Sequence, residues 1–227
     1  MPYEFSILDV SFLMRLLVTA GPTREHLDPV RFLSNRSTGK MGFAIAQRAA
    51  ERGHAVVLIA GPVVLATPAG VHRVDVCSAR DMLTAVEACL EDCAALVMCA
   101  AVADWRPRQC SAVKLKKRSM SATLALEPNP DILQTIRTRK HGRIFVGFAA
   151  ETGDPRAEGL RKLTEKGLDL LVANDVSQTD AGFAVDTNRV TLLTSDGREL
   201  PLPLLSKLEV AERIMVWLEQ AVGTGAA

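Results

Sequence analysis

The sequence predicts an α/β protein with a Rossmann-like, mostly parallel sheet, helices on both faces, and a small C-terminal β-hairpin. Apolar runs alternate with helical patterns along most of the chain, as in repeated βαβ units. Several runs are continuously apolar, which is typical of strands buried on both faces. The first run leads through a long polar loop into a glycine-containing helix start, an order that presents backbone N–H groups to phosphates.

Five apolar runs are predicted to form strands, and helical patterns separate most of them. The predicted strands are Leu16–Thr19, Ala55–Ala60, Ala94–Ala101, Ile144–Ala149 and Leu168–Ala173. The predicted helices are Gly39–Arg52, a segment from Ser78 to about Leu90, a segment that starts at Asn129, Arg156–Lys166, and Leu205–Ala221. The alternation favours parallel pairing, because parallel strands need a crossover connection.

Capping residues mark the ends of the first two helices. We expect Ser37 or Thr38 to be the N-cap of the first helix, and Gly53 to follow its last turn. Ser78 is the expected N-cap of the second helix. Asp81 follows it three residues later, which indicates a variant of the capping box.

Boundary signals continue in the second half of the chain. Asn129 is the expected N-cap of the third helix, with Pro130 at the first helical position, and Gly167 ends the fourth helix. The runs Arg189–Thr194 and Glu199–Leu202 flank a Ser-Asp-Gly-Arg turn. An Asp-Gly pair between short apolar runs predicts a β-hairpin.

The composition excludes several classes of function. Apolar residues make up 48% of the 227 residues, enough for a substantial core. The 27 basic and 26 acidic residues give a net charge of +1, so we expect no nucleic-acid partner and no membrane surface. No apolar run reaches the ~20 residues that a bilayer span needs. Aromatic residues, at 4%, are too scarce for a single-strand stacking platform.

The cysteines and the chain ends add expectations about location and domains. The five cysteines form no CxxC pair, so reduced thiols packed as small core residues in the cytoplasm are expected. The first residues lack the basic segment of a secretory signal. We expect residues 1–14 to be a leader or linker, 15–222 to be one domain and 223–227 to be a tail.

Polar side chains cluster after the predicted strands. The carboxyl ends of parallel strands meet at one edge of a sheet, where open α/β sheets bind ligands. Four groups stand at this edge: the polar loop with Arg24, Glu25, Asp28, Arg31, Asn35, Arg36 and Lys40; Ala100–Trp105; Lys114–Lys117 followed by Asn129–Ile132; and Gly147–Thr152 with Lys162, Lys166 and Ala173–Val176. Cations, amides and a few carboxylates at one edge suit a nucleoside triphosphate with its magnesium ion.

Each part of this cluster also has a purely structural interpretation. Gly39 and Gly42 could serve only the close packing of a helix on a strand. Lys162 and Lys166, with Glu158 four residues before the first of them, could only stabilise a helix. The basic run could be a solvated face, and the asparagines could be caps or turns.

A nicotinamide enzyme is disfavoured. The strand Ala55–Ala60 is followed by Gly61 and Pro62, without an acidic residue for the ribose, and no GxGxxG turn follows the first strand. The sequence contains no GxSxG elbow, and no cysteine has a histidine beside it in the chain, so nucleophilic catalysis lacks support. An NADP-linked reductase with an arginine anchor and a non-catalytic nucleotide- or flavin-binding module stay as alternatives.

Five segments stand in order along the chain: TAGPTREHLDPVRFLSNRSTGKMG, AAVADWRP, KLKK followed by NPDIL, GFAAET, and LVANDVS. Together they closely resemble phosphopantothenoylcysteine synthetase of the bacterial, CTP-using kind, which is the synthetase half of a bifunctional coenzyme A biosynthesis flavoprotein. The resemblance implies a phosphopantothenate–cysteine ligase. The carboxylate of 4′-phosphopantothenate would attack the α-phosphate of CTP to give an acyl-cytidylate and pyrophosphate. The amine of cysteine would then displace CMP.

The same resemblance implies the role of each candidate residue. Asn35 would hold the acyl-cytidylate for its conversion with cysteine, and Arg31 would contact the acyl phosphate or the pantothenate phosphate. Lys114 would contact the triphosphate within a KLKK lid, and Asp104 would hold a ribose hydroxyl or the cytosine side. The other matches to CTP contacts are Ala100, Ala101, Asn129, Pro130, Asp131, Ile132, Phe148, Lys162 and Lys166.

The resemblance also implies cofactors and partners. Mg²⁺ and CTP are expected. FMN is not expected, because the flavin-dependent decarboxylase half found in many bacteria is not in this sequence. A homodimer is expected, with the late hairpin and its neighbouring strands as interface material. A phosphopantothenoylcysteine decarboxylase is a further possible partner. No residue is assigned as a magnesium ligand from the sequence.

Overall fold

An eight-stranded sheet forms the centre of the computed structural model, which describes residues 13–118, 123–151, 156–175 and 185–225. The described strands are β1 (Arg15–Ala20), β2 (Arg24–His26), β3 (Phe32–Ser34), β4 (Ala55–Ala60), β5 (Val71–Asp75), β6 (Ala95–Met98), β7 (Trp105–Pro107), β8 (Leu126–Pro128), β9 (Ile144–Glu151), β10 (Leu170–Asp175), β11 (Thr187–Asn188), β12 (Val190–Thr194), β13 (Glu199–Pro201) and β14 (Leu205–Ser206). The described helices are α1 (Lys40–Glu51), α2 (Ala79–Cys89), α3 (Ile132–Ile136), α4 (Arg156–Lys166) and α5 (Lys207–Gly225), with 3-10 turns at Leu90–Asp92 and Arg137–Arg139.

The strand order confirms the predicted mostly parallel sheet. The order is β13-β12-β10-β9-β6-β1-β4-β5, and all neighbours from β10 to β5 pair in parallel. The hairpin of β12 and β13 joins this sheet antiparallel to β10, so it extends the sheet edge. Three two-stranded ribbons, β2–β3, β7–β8 and β11–β14, lie outside the main sheet.

Helices cover both faces of the sheet, as predicted. Leu16 and Val18 of β1 belong to a hydrophobic cluster with α1 and α5. Leu17, between them, belongs to a second cluster with residues of α2, α3 and α4. Because side chains alternate across a strand, one apolar run serves both layers, and this is why Leu16, Leu17 and Val18 are consecutive apolar residues.

The structure adds one strand that was not predicted and changes two predicted boundaries. Val71–Asp75 forms edge strand β5, which its polar residues concealed. The predicted strand Ala94–Ala101 is shorter, Ala95–Met98, because the backbone beyond Met98 bonds the loop after β1: the N–H of Ala101 donates to Gly21, and its carbonyl oxygen accepts from Thr23. Leu205–Ser206 pairs with β11, so the last helix begins at Lys207.

Capping is partly as predicted. Ser78 and Asp81 form a capping box at α2, and Gly53 follows α1 with a φ of 88°. The predicted N-cap of α1 at Ser37 or Thr38 is wrong: Gly39 occupies it with a φ of 80°, a left-handed conformation that glycine adopts without strain. Asn129 as N-cap of α3 is also wrong, because Asp131 accepts from the backbone N–H of Gln134 and caps that helix.

The topology creates a ligand crevice beside β1. The chain passes from β1 through α1 to β4 on one side, and later returns through α2 to β6 on the other. The connections therefore diverge at the carboxyl ends of β1 and β6, the switch point where open α/β sheets bind ligands.

None of the described helices combines the length and the hydropathy of a membrane span. Residues 1–12 and 226–227, which include most of the predicted leader and part of the predicted tail, lie outside the described residues.

Candidate functional site

A cavity of about 780 Å³ lies at the carboxyl edge of the sheet, over the switch point. Its walls come from the loop before α1, the segment after β6, the start of α3, one side of α4, and the ends of β9 and β10. Asn35, Asp104 and Lys162, which are far apart in sequence, all line it. The predicted residues that line it are Asn35, Ala100, Ala101, Asp104, Asn129, Pro130, Asp131, Ile132, Phe148, Lys162 and Lys166.

The N-terminus of α1 reaches the cavity because a glycine lets it pack closely on β1. A Cβ on Gly42 would lie 2.6 Å from the Cβ of Ala20 and 3.0 Å from the carbonyl oxygen of Thr19. No side chain caps this end of the helix at Gly39. Uncapped N–H groups and the helix dipole favour an anion there. The packing and the ligand-binding interpretations of Gly42 are thus compatible.

Asn35 is fixed by the turn that follows β6. Its Nδ2 donates to the carbonyl oxygens of Ala101 and Val102, at 3.0 and 3.2 Å. Both amide hydrogens are therefore used within the protein, and a flipped amide would place oxygen against oxygen. This orientation leaves the Oδ1 acceptor of Asn35 for a ligand in the cavity.

Two buried threonines hold the same turn, and sequence reasoning did not select them. The Oγ1 of Thr19 accepts from the N–H of Ala100 at 3.2 Å, and the Oγ1 of Thr23 accepts from the N–H of Ala103 at 3.0 Å. The N–H of Ala101 donates to Gly21 at 2.9 Å. These three N–H groups are already paired, so the turn can contact a ligand through its surface and its carbonyl oxygens.

Asn129 holds the wall of the cavity opposite the helix start. Its Nδ2 donates to Ala103 and its Oδ1 accepts from Arg106, while its N–H donates to the carbonyl oxygen of Asp104. Asn129 thus ties the turn after β6 to the start of α3. Asp104 is exposed at the cavity, where its carboxylate can accept from hydroxyl or amino groups.

The two lysines of α4 fit both interpretations of the sequence, helix stabilisation and a place at the ligand site. The Nζ of Lys162 lies 3.7 Å from the Oε1 of Glu158 on the same helix, as the structural interpretation predicts. The Nζ of Lys166 lies 3.1 Å from the Oδ2 of Asp131, which links α4 to the cap of α3. Both lysines also line the cavity and bring positive charge to it.

Arg31 and Lys114 do not line the cavity of this chain; the fold instead brings their two segments together at Asp28. Asp28 is fully buried and accepts from the Arg31 side chain and from the N–H of Leu115, while Arg31 also donates to the Leu115 carbonyl. The Arg31 guanidinium, together with backbone N–H groups, holds the pKa of Asp28 well below its usual range.

Several other polar residues of the cavity wall have no role among those that the resemblance implies. They include Lys40 at the start of α1, Asn174 at the end of β10, Asn188 in β11 and Lys207 at the start of α5. The sequence placed Lys40 in the polar loop before the first helix and Asn174 in the group at the strand ends, with a turn as the structural alternative for Asn174. No local sequence pattern marks Asn188 or Lys207 as a site residue, because the pairing of β11 with β14 positions both of them.

Comparison with known proteins identifies relatives of most of the chain. Residues 13–222 match the family described as DNA/pantothenate metabolism flavoprotein C-terminal domain. The coenzyme A biosynthesis bifunctional protein CoaBC of Bacillus subtilis is 46% identical over 201 residues, 88% of this chain and 50% of the relative. That of Escherichia coli is 46% identical over 198 residues, 86% of this chain and 48% of the relative. The chain thus spans about half the length of these curated relatives.

Solved structures give the same assignment. The crystal structure of the C-terminal domain of CoaBC superposes with a TM-score of 0.81 at 39% identity, covering 94% of this chain and 98% of that one. A Cab2 mutant in complex with phosphopantothenate-cysteine superposes with a TM-score of 0.75 over 94% of this chain and 89% of that one. At 14% identity, that likeness shows the fold alone. The family-level resemblance found in the sequence is confirmed: this chain belongs to the DNA/pantothenate metabolism flavoprotein C-terminal domain family.

Proposed function

We propose that the chain is a phosphopantothenate–cysteine ligase of coenzyme A biosynthesis that uses CTP. The observation that carries the proposal is the single cavity in which Asn35, Asp104 and Lys162 meet at the switch point of the sheet. The relatives that share this family are named for coenzyme A biosynthesis, which supports the same pathway for this chain.

In the first proposed step, a carboxylate oxygen of 4′-phosphopantothenate bonds to the α-phosphorus of CTP. The bond from that phosphorus to the bridging oxygen breaks, and pyrophosphate leaves with the electron pair. Lys162 and Lys166 supply positive charge for the triphosphate, and the segment Asn129–Ile132 and Asp104 hold the nucleoside. Orientation and charge neutralisation provide most of such a rate enhancement.

In the second proposed step, the amine of cysteine bonds to the activated acyl carbon and CMP leaves. The amine nitrogen loses one proton in forming the amide. The free Oδ1 of Asn35, held by Ala101 and Val102, is an acceptor suited to aligning an amine N–H at that carbon. This role agrees with the resemblance, which assigns Asn35 to conversion of the acyl-cytidylate.

Magnesium is proposed to enter with the nucleotide. The described residues contain no cluster of three histidine, cysteine, aspartate or glutamate side chains that could hold a metal ion. Asp131 is already used as a helix cap and as a partner of Lys166. Phosphate oxygens and water suit Mg²⁺ as ligands, and a resident protein site does not fit the residues present.

A homodimer is proposed to complete the site. Arg31 and Lys114 lie outside the cavity, next to exposed apolar side chains at Val30 and Val113, whose exposed fractions are 58% and 70%. Phe32 is also exposed, at 42%. Covering this surface with a second copy would bury apolar area and bring the two cationic residues toward a neighbouring cavity.

The cellular setting is proposed from chemistry alone. All five cysteines are free thiols, which suits a cytoplasmic protein. The product retains the cysteine carboxyl group, so a phosphopantothenoylcysteine decarboxylase is the proposed consumer of the product.

The test is a reconstituted reaction. Purified protein is mixed with CTP, MgCl₂, 4′-phosphopantothenate and cysteine, and pyrophosphate, CMP and the amide are quantified. We expect pyrophosphate to depend on CTP and the acid, and amide to depend also on cysteine. Absence of pyrophosphate with CTP and with ATP would refute the ligase. Nicotinamide oxidation under matched conditions would favour the reductase alternative.

A further inference from the structure

Asp28 is a fully buried aspartate that the two proposed reaction steps do not use. It lies in the turn between β2 and β3, residues 27–31, here termed the Asp28 turn. Residues 111–115, here termed the Lys114 segment, lie against this turn and are bound to it by hydrogen bonds. The fold thus brings together two stretches of chain that are more than 80 residues apart, with Asp28 and Leu115 separated by 87 positions.

The two carboxylate oxygens of Asp28 bond different groups. Oδ1 accepts from the backbone N–H groups of Val30 and Arg31, at 2.9 and 2.8 Å, and so closes the Asp28 turn itself. Oδ2 accepts from the Nε of Arg31 at 3.0 Å and from the backbone N–H of Leu115 at 3.2 Å. One carboxylate therefore holds its own turn, the arginine of that turn and the Lys114 segment.

The Lys114 segment is bound to the Asp28 turn on both sides of Lys114. Before it, the N–H of Ser111 donates to the carbonyl oxygen of Leu27 at 3.0 Å. After it, Leu115 donates its N–H to the buried carboxylate, and its carbonyl oxygen accepts from the Nη2 of Arg31 at 3.1 Å. The Lys114 side chain is exposed. Its backbone is thus held between two anchors while its ammonium can reach a ligand.

A neutral side chain cannot replace the carboxylate of Asp28. Both of its oxygens face N–H donors, so an asparagine would direct its own Nδ2 at donors in either orientation of the amide. A buried carboxylate also needs a paired cation, and Arg31 supplies it. Loss of the charge is therefore expected to release Arg31 and Leu115 together.

We propose that Asp28 is a positioning residue that joins the Asp28 turn and the Lys114 segment into one unit, and thereby fixes where Lys114 meets the nucleotide. Asp28 acts through Lys114 and touches no substrate, because it has no exposed surface. The role of Lys114 rests on the proposed function, whereas the joining of the two segments does not. The alternative is that Asp28 only stabilises the fold, and the tests separate the two.

Limited proteolysis tests the joining of the segments without any measurement of activity. Wild-type protein and Asp28→Asn are digested with trypsin under native conditions, and cleavage after Lys116 and Lys117 is followed by mass spectrometry. We expect cleavage at these two sites to be about tenfold faster in Asp28→Asn, because a hydrogen bond to a charged group is lost and the open form is more populated. Cleavage elsewhere should change by less than about twofold. An equal rise along the whole chain, or no rise at Lys116 and Lys117, would overturn the proposal.

Asp169→Asn is the matched control. The Oδ1 of Asp169 accepts from the Nζ of Lys140 at 2.8 Å, and its Oδ2 accepts from the N–H of Phe145 at 2.7 Å. This carboxylate also joins a cation to the backbone of another segment, but it lies at the amino ends of β9 and β10, at the edge of the sheet opposite the cavity. We expect Asp169→Asn to lower stability and to leave both the cleavage after Lys116 and Lys117 and the KM for CTP unchanged.

Steady-state kinetics tests whether Asp28 acts through Lys114. Asp28→Asn should raise KM for CTP by about tenfold and KM for cysteine by less than about twofold. The double variant Asp28→Asn/Lys114→Gln should have a KM for CTP within about twofold of that of Lys114→Gln, because the charge that Asp28 positions is already absent. Multiplied single effects, about 100-fold together, would show that Asp28 acts independently of Lys114 and would overturn the proposal.

Leu115→Pro keeps the test decisive if Asp28→Asn does not fold. Proline removes the N–H that Asp28 accepts and leaves the pair of Asp28 and Arg31 intact. The same local rise in cleavage and the same rise in KM for CTP are expected, and wild-type values of both would overturn the proposal.

The two proposals fail in different ways. If wild-type protein releases no pyrophosphate but cleavage after Lys116 and Lys117 responds as expected, the ligase proposal fails and the joining of the two segments by Asp28 stands. If wild-type protein releases pyrophosphate and neither Asp28→Asn nor Leu115→Pro changes this cleavage or the KM for CTP, the ligase proposal stands and the positioning role of Asp28 fails.

Discussion

The Nδ2 of Asn35 donates to the carbonyl oxygen of Ala101 at 3.0 Å, and the same nitrogen reaches Val102 at 3.2 Å. This contact fixes which atom of the amide a substrate meets, because a carbonyl oxygen cannot accept from another oxygen that carries no proton. Asn35 lies in a loop, but these two hydrogen bonds hold it in a fixed position relative to the end of β6. Its position depends on the turn after β6 and on the residues that hold that turn.

Asn35→Asp tests this relationship. A carboxylate would place oxygen against the two carbonyl oxygens, so the side chain should rotate away and lose its alignment with the amine. We expect pyrophosphate release to persist while amide formation falls by about 100-fold, the scale for loss of one positioned polar group. Product analysis by mass spectrometry, with and without cysteine, measures both. Equal loss of the two steps would contradict the assigned role.

Lys114→Gln tests the proposed lid. Removing the positive charge should raise KM for CTP by about tenfold, with a smaller effect on KM for cysteine, because a charged contact to phosphate is lost. Lys114→Arg should retain most of the affinity, since it keeps the charge. Steady-state kinetics at varied CTP concentration measures this KM. An unchanged KM for CTP in Lys114→Gln would contradict a contact between Lys114 and the nucleotide.

Thr23→Val tests whether the turn positions Asn35. Valine keeps the shape but leaves the N–H of Ala103 without its acceptor, so the free energy of unfolding should fall by about 1–3 kcal/mol. Thr23→Ser, which keeps the acceptor, is the control. We expect Thr23→Val to lower the ratio of amide to pyrophosphate at temperatures where it is fully folded. If Thr23→Val gives the wild-type ratio of amide to pyrophosphate, Thr23 has only a structural role.

Glu219→Gln tests the contact between α1 and α5. Arg52, and then His54, lower the pKa of Glu219 from its ordinary value of 4.5. A carboxylate whose pKa is lower in the folded state stabilises the fold above its unfolded pKa, and this stabilisation is lost as pH falls through the folded pKa.

At pH 7 we expect Glu219→Gln to lower the free energy of unfolding by about 1–2 kcal/mol, with the difference from wild type shrinking below about pH 4.5. Glu212→Gln, which removes a second carboxylate partner of Arg52, should have a smaller effect. Urea unfolding at several pH values measures both variants. A difference that does not change with pH would mean that the ionised carboxylate is not the source.

Local patterns predicted most of the fold. Continuous apolar runs located the central strands, because a strand covered on both faces has no solvent side to carry polar residues. The capping box at Ser78 was visible because its two bonds join residues three apart. The strand Val71–Asp75 was missed, since an edge strand is half solvated and its polar residues break the apolar pattern.

The candidate site was predicted to the extent that its residues lie at strand ends or in recognisable segments. Ala100, Asp104, Lys162 and Lys166 meet in one cavity because parallel strands end at one edge. Thr23 escaped detection, because its bond to Ala103 joins residues 80 apart and leaves no local pattern.

The sequence by itself determined the α/β class, the order of the central strands along the chain and the segments that carry polar groups, because these follow from periodicity and local chemistry. Only the tertiary structure decided which atoms face the cavity. It fixed the amide nitrogen of Asn35 on Ala101 and Val102, joined the segments of Arg31 and Lys114 at Asp28 outside the wall, and brought Asn188 and Lys207 into that wall. Such contacts depend on register and packing between distant segments, and no local pattern encodes them.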